Sequence, residues 1–384
     1  MASLGSRLVA LWLCLCLGAC ADVAPSKGRP ARPSAPSRSA DIVMVGDIMM
    51  GDRMLPFLEA EGVGYPFASL APALRSADLT VGNLEGPVAV EAKLNRDLRF
   101  PYKVPPWTLQ GLREAGFDLL SLANNHLVDC GQDGVRETMR HVEVSGMQHF
   151  GAGHGAAARK PKVVDVSGTR VAFVGWLGAD SLLRDEGHAA REGAFEDAQR
   201  WARRRLGTSG GRLGLVVGSA DEVEEMVAEA RAVADVVVVY AHWGIRYRRA
   251  PSPLQRLLAH TAIDAGADLV VGHHAHIWQP LELYRGKLIA YGLGNFAFGS
   301  RNRRARAGLI LRAHLRHRQL GRVELTFIRT ANADPSVAYQ ARPLAGPELY
   351  GALHELRGTA AGLEFRVEEG RAVIDLGGRL GVPE

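Results

Sequence analysis

The chain has 384 residues, 47% hydrophobic and 23% charged, the balance of a folded globular body rather than a disordered or collagen-like one. The length suits one large α/β domain with extensions. The formal net charge is +5, and no zinc-finger, RRM or helix-turn-helix spacing accompanies it, so the excess admits an acidic partner and argues against a nucleic-acid one.

Residues 1–19 read as a lipoprotein signal peptide. Arg7 supplies a positive start, and residues 8–17 form an apolar run too short to span a bilayer but of signal-core length. The run ends in Leu17-Gly18-Ala19-Cys20, which resembles a bacterial lipobox. Cleavage before Cys20 and lipidation of that cysteine are expected; the alternative is an unlipidated A-x-A-like cleavage near Ala21. The expected location is therefore the bacterial cell envelope, as an exported, membrane-anchored lipoprotein. Cys14 and Cys16 would leave with the signal, and Cys130 alone would remain in the mature body, without a disulfide partner. Residues 20–40 are rich in Pro, Ser, Ala and Arg and lack apolar periodicity, as a flexible tether does.

The folded body is expected over residues 41–330. A strand at 42–45 runs into Gly46-Asp47, and helical spacing follows at 66–77. The strand at 78–82 ends in Asn83-Leu84-Glu85, and an irregular loop spans 86–105. A helix at 106–115 closes on Gly116. The strand at 117–122 ends in Ala123-Asn124-Asn125-His126. A helix at 134–145 stops at Gly146, a short strand and turn occupy 148–153, and residues 162–176 form a hairpin turning at Ser167-Gly168. Residues 179–214 are dense in Arg and read as a partly helical excursion. Ser219 with Glu222, and Ser252 with Gln255 after Pro253, have capping-box spacing and open helices to 234 and 265. Between them the apolar strand 236–240 ends in Ala241-His242-Trp243-Gly244. The next apolar run, 269–271, stops at Gly272 and is followed by His273, His274 and His276. A strand at 288–291 precedes Gly292-Leu293-Gly294-Asn295-Phe296. Alternating strands at 309–315 and 323–328 suit antiparallel pairing. Residues 331–384 are richer in Pro and Gly and read as a C-terminal extension of less regular structure.

Polar clusters thus follow apolar strands six times, with helices between several of them. Parallel βαβ units bring strand ends to one edge of a sheet, where α/β proteins place ligands. Asp47, Asn83, Glu85, Asn125, His126, His242, His274 and His276 can therefore converge. Taken singly, Asp47 could cap a helix, Glu85 could be a surface charge, and His242 could be a satisfied core histidine. In an extended segment His274 and His276 point the same way and can reach one ion. Carboxylates with imidazoles suit Mn, Fe or Zn, and six donors are enough for one or two divalent ions. His126, beside Asn125, can protonate a leaving group; the bland alternative is a turn histidine.

The succession Gly46-Asp47-Ile48-Met49, Gly82-Asn83-Leu84-Glu85, Ala123-Asn124-Asn125-His126, His242-Trp243-Gly244, Gly272-His273-His274-Ala275-His276 and Gly292-Leu293-Gly294-Asn295-Phe296 resembles the CapA family. These are poly-γ-glutamate capsule synthesis proteins, related to calcineurin-like metallophosphoesterases. The resemblance covers residues 41–328. It implies an α/β fold, a four-layer αββα metallophosphoesterase-like sandwich. It implies Asp47, Glu85, Asn125, His242, His274 and His276 as metal ligands, His126 as the catalytic histidine, and Asn83 and Asn295 as substrate contacts. The wider superfamily opens with Asp-x-His, whereas Met49 stands at the third position here, which puts a second ion in question. The expected function is a metal-dependent hydrolase or transferase in synthesis, export or anchoring of poly-γ-glutamate or a related surface polymer. The alternative is a non-catalytic, metal-containing binding component of a polymer-export assembly. Expected partners are an anionic surface polymer or phosphoester substrate, the membrane through the lipid anchor, and other capsule-synthesis proteins. The basic segments 184–212 and 301–306 could hold a polyanion or simply be solvated.

Overall fold

The computed structural model describes residues 39–183, 193–208, 211–360 and 362–376. The signal segment, Cys20 and most of the tether lie outside them. Among the described residues, no helix is long and apolar enough to cross a membrane.

The chain first lays down four parallel strands: β1 (Ala40–Met49), β2 (Leu79–Leu84), β3 (Leu119–Ser121) and β4 (Gln148–Phe150). Helices α1 (Leu55–Glu61), α2 (Ala71–Arg75), α3 (Leu109–Ala115) and α4 (Gly131–Val144) connect them. The single helix expected at 66–77 is instead a 3-10 turn, Tyr65–Phe67, and the short α2. Pro66 and Pro72 each lack a backbone donor, so both sit in first turns rather than in a helix interior. Gly116 ends α3 at φ 103°, a conformation that glycine adopts without a Cβ penalty.

A second sheet follows: β5 (Lys162–Val166), β6 (Thr169–Leu177), β7 (Val236–His242), β8 (Leu269–His273), β9 (Leu281–Tyr284) and β10 (Lys287–Ala290), in the order β9-β10-β8-β7-β6-β5. The β5–β6 hairpin turns at Ser167-Gly168, as the sequence indicates. Within the Arg-rich excursion lies α5 (Ala194–Arg205). Helices α6 (Ala220–Val233) and α7 (Pro253–Asp264) both begin on the expected capping boxes, Ser219 with Glu222 and Ser252 with Gln255.

The chain then returns to the first sheet. β11 (Asn295–Phe298) pairs parallel with β1, and β12 (Ala307–Arg316) and β13 (Gln319–Arg329) extend the sheet antiparallel. Residues 331–384, expected as a less regular extension, supply α8 (Gly346–Thr359), β14 (Arg366–Glu368) and β15 (Arg371–Asp375). β15 pairs with β13, so this segment completes the sheet, whose order is β14-β15-β13-β12-β1-β2-β3-β4.

Strand alternation fixes the layers. Ile42 and Met44 join Val236, Val238, Tyr240, Leu269, Val271, Leu309 and Leu311 in a core between the two sheets. Their neighbours Val43 and Val45 face the other way, with Leu58, Leu74, Leu112, Val135 and Val142 of α1–α4. On the second sheet, Val237, Val239 and Val270 pack with Met226 and Val227 of α6 and Leu258 and Ala262 of α7. The result is the expected four-layer αββα sandwich.

Candidate metal centre

The strands run further than the apolar pattern suggests and carry several polar residues inside them. Asp47 lies in β1 beside Asn83 of β2 and Asn295 of β11, at a register shift between Asp47 and Ile48. Close backbone approach makes this bend: a Cβ on Gly46 would stand 1.8 Å from the Gly294 carbonyl oxygen. In the second sheet, His242 of β7 is the cross-strand neighbour of His273 in β8. A Cβ on Gly272 would meet the Tyr291 oxygen at 1.9 Å, so only glycine fits before the histidines.

His274 and His276 are not extended. Their φ angles are 86° and 57°, in the left-handed region. The extended alternation that would make their rings parallel is replaced by a turn, which still delivers both to the site. Holding a non-glycine residue there costs about 1–3 kcal/mol, a strain typical of functional turns.

The first sheet contributes Asp47, Glu85, Asn125 and His126, and the second contributes His242, His274 and His276. Asp47 accepts from Asn83 Nδ2 (2.9 Å) and from the His274 backbone N–H (3.2 Å). Its oxygens lie 3.2 Å from His273 Nδ1 and 3.4 Å from His276 Nδ1. His242 Nε2 lies 2.7 Å from Asn125 Oδ1 and 3.1 Å from His274 Nδ1. Three atoms that can each offer a lone pair crowd together there. Glu85 lies 3.8 Å from His126 Nε2 and 3.9 Å from His276 Nε2. Neither of its carboxylate oxygens has a hydrogen-bond partner, although both are buried; His274 Nε2 is in the same position. Ligand atoms of Asp47, Glu85 and His242 all fall within 4.8 Å of one another.

Burial would raise the Asp47 carboxyl, but hydrogen bonds and charge from His273 and His276 outweigh it and hold the group well below its usual range. Burial, with Asp47 and Asp129 adding to it, pushes Glu85 well above its usual range. Burial holds His242 and His274 well below theirs, with neighbouring imidazoles adding to the effect, so both are neutral at pH 7. Neutral imidazole is the form that ligates a metal. Two carboxylates, an amide oxygen and neutral imidazoles, some buried without hydrogen-bond partners, fit a divalent cation. Asp47, Glu85 and His242 form a buried group that could hold one.

Asn83 and Asn295, expected as substrate contacts, are buried and contact candidate ligands. Asn83 binds Asp47, and Asn295 Oδ1 lies 3.0 Å from His276 Nδ1, which leaves Nε2 of that ring free to face Glu85. Such outer partners fix ring orientation and tautomer. His273 contacts Asp47 and stacks on Tyr240, at 4.9 Å between ring centroids. Met49 is packed in the apolar cluster with Met50, Val104 and Phe298, where no ligand is needed. Cys130 is buried against Ala89 and Ala92, and burial pushes its thiol up to about 11; it is a packing residue.

Sequence reasoning missed two partners of His126. Asp129 Oδ2 lies 2.7 Å from His126 Nδ1 and also accepts the Tyr102 backbone N–H at 2.8 Å. The Tyr102 ring lies over that of His126, with centroids 4.2 Å apart. The i,i+3 spacing of His126 and Asp129 was the available signal. With Nδ1–H donated to Asp129, His126 presents Nε2 to the centre.

Fold and site together define an αββα sandwich with a buried carboxylate–amide–imidazole centre built from both sheets. The sequence agrees with that class: residues 41–300 match the family of the bacterial capsule synthesis protein PGA_cap. The chain is 30% identical over 315 residues to the PGA biosynthesis protein CapA of Bacillus subtilis, covering 80% of this chain and 77% of that protein. It is 33% identical over 302 residues to the capsule biosynthesis protein CapA of Bacillus anthracis, covering 77% and 67%. A protein of Mycobacterium tuberculosis named a "Probable polyglutamine synthesis accessory protein" is 32% identical over 221 residues, 57% of this chain and 55% of that one. The chain belongs to the PGA_cap family.

Proposed function

We propose that this chain is a metal-dependent hydrolase or transferase that acts on poly-γ-glutamate or a related anionic polymer during its synthesis, export or anchoring. The observation that carries the reading is Glu85: a buried carboxylate without hydrogen-bond partners, faced by His126 and His276 and within 4.8 Å of Asp47 and His242. A divalent ion of the Mn, Fe or Zn kind would be held by Asp47, Glu85, Asn125, His242, His274 and His276. Bound there, it would supply Lewis acidity toward a carbonyl or phosphoryl oxygen and toward water. His126 Nε2 would hand a proton to the leaving group, with Asp129 fixing its ring. Asn83 and Asn295 would keep the ligands oriented while substrate meets the centre. Anchoring through a lipidated Cys20 would place this chemistry at the envelope surface.

Two observations favour a second reading, that of a binding component of an export assembly. Met49 stands among apolar side chains, which removes a donor the wider superfamily has, and one relative is named an accessory protein. Metal analysis of the purified mature domain, followed by phosphoesterase and polymer-degradation assays with added Mn, separates the two. Bound metal with turnover that disappears in His274→Ala supports the enzyme. Bound metal without turnover on either substrate class supports the binding component. Membrane association unchanged in Cys20→Ala would overturn lipid anchoring.

A further inference from the structure

Two separate clefts border the candidate centre, one lined by His276 and the other by Asn125. The first, about 680 Å³, is lined by His276 and by Arg99, Arg246 and Arg304. The second, about 260 Å³, is lined by Asn125 and by Lys93, Arg205 and Arg212. His126 adjoins both, because Tyr102 lines the first cleft and Asp129 the second. The loop 86–105 also contributes to both, with Arg99 on one side and Lys93 on the other.

That loop is firmly held. Glu137 accepts the backbone N–H groups of Val90 (2.6 Å) and Ala92 (2.7 Å), and Asp129 accepts that of Tyr102. Lys103 Nζ donates to the carbonyls of Val90 and Ala92. In the adjoining cleft, which Arg304 also lines, Arg249 and Arg329 are paired instead, with Glu355 and with Asp334 and Glu348. Among the described residues, no carboxylate lies within 4.0 Å of the cationic groups of Lys93, Arg99, Arg205, Arg212, Arg246 or Arg304. Unpaired cations lining a concave surface focus positive potential on whatever lies between them. Phe100, stacked by both Arg99 and Arg246, and Tyr247, under Arg304, hold three of the guanidinium groups in place.

The geometry points to a polyanion site that spans the centre: an internal stretch of a polycarboxylate chain lies in both clefts at once, with cations on either side of the reacting position. This deepens the proposed function and rests on it for the carboxylate chemistry. A site closed on one side would grip a chain end; this one grips the middle.

The test is binding by the purified mature domain of γ-linked glutamate oligomers of increasing length, with chelator present so that turnover plays no part. Affinity is expected to rise with length until both clefts are filled and then level off, and to weaken with added salt. Arg99→Ala with Arg304→Ala, and Arg205→Ala with Arg212→Ala, should each weaken a long oligomer by about tenfold. The shortest oligomer should respond to one pair only. The length series on the unaltered protein needs no variant, so a misfolded variant leaves the result standing. Affinity independent of length, or loss on one side only for every length, overturns the proposal. Length-dependent binding without turnover when Mn is restored would remove the enzyme reading and keep the two-cleft site. Turnover without length dependence would do the reverse.

Discussion

Glu85→Gln should stabilise the metal-free protein and remove most of the stabilisation that metal gives. Both Glu85 oxygens are buried without partners, and burial together with Asp47 and Asp129 raises its pKa. An unsatisfied buried polar group costs about 1–3 kcal/mol, and more when charged. Glutamine keeps the shape and removes the charge, so in chelator Glu85→Gln should be more stable than wild type by about 1–3 kcal/mol. For a body of this size that is a rise in Tm of about 1–4 °C. The difference should also depend on pH. A carboxyl whose folded pKa lies above its ordinary 4.5 contributes its full stability below 4.5 and loses it as pH rises toward the folded value. The gap between variant and wild type in chelator should therefore widen as pH rises above 4.5. With Mn at one hundred times its dissociation constant, wild type should gain about 2.7 kcal/mol, or about 4 °C, while the variant gains little. Thermal melts in chelator and in Mn, across pH, measure all of this. A variant that melts below wild type in chelator, or that gains as much from Mn, refutes the account of Glu85.

Asp129→Asn should lower kcat by about 10- to 100-fold with metal content unchanged, because it releases His126 and leaves the ligands in place; metal analysis beside kinetics checks this. Ser219→Ala should cost about 1 kcal/mol in urea unfolding, the ordinary loss of a helix cap. Ser252→Ala should cost more, about 2–3 kcal/mol, since the Ser252 hydroxyl also donates at 2.6 Å to the buried Asp180. Gly272→Ala should destabilise by about 3 kcal/mol or more, because its Cβ would stand 1.9 Å from the Tyr291 oxygen in the middle of a buried sheet; chemical denaturation reads the loss.

Much of this was legible because apolar runs and polar ends alternate so regularly. The strand at 236–240 and its His242, the paired capping boxes and the Ser167-Gly168 turn all follow from local pattern, and the structure forms each one. The helix at 66–77 was misread because helical spacing of Phe67, Leu70 and Leu74 masks what two prolines do to the backbone. His274 and His276 do face the site, but through positive φ angles rather than the alternation of an extended strand. Local pattern left His273 without a role because its partner, Asp47, lies across the sheet sandwich. Asp129 escaped because its i,i+3 spacing from His126 signals a contact only where the chain between them is known to turn. The C-terminal strands escaped because a run as short as Ala372–Ile374 gains its place from β13 and β14 on either side of it.

The centre draws donors from residues 47 to 276, on two sheets that meet through an apolar core. A cation held by Asp47, Glu85 and His242 together would need both sheets in place. The three large apolar clusters include none of the candidate ligands. Any cation would then load after the sheets have met. Were the ion scarce, folded molecules would accumulate with this group empty, each still able to take up a cation later.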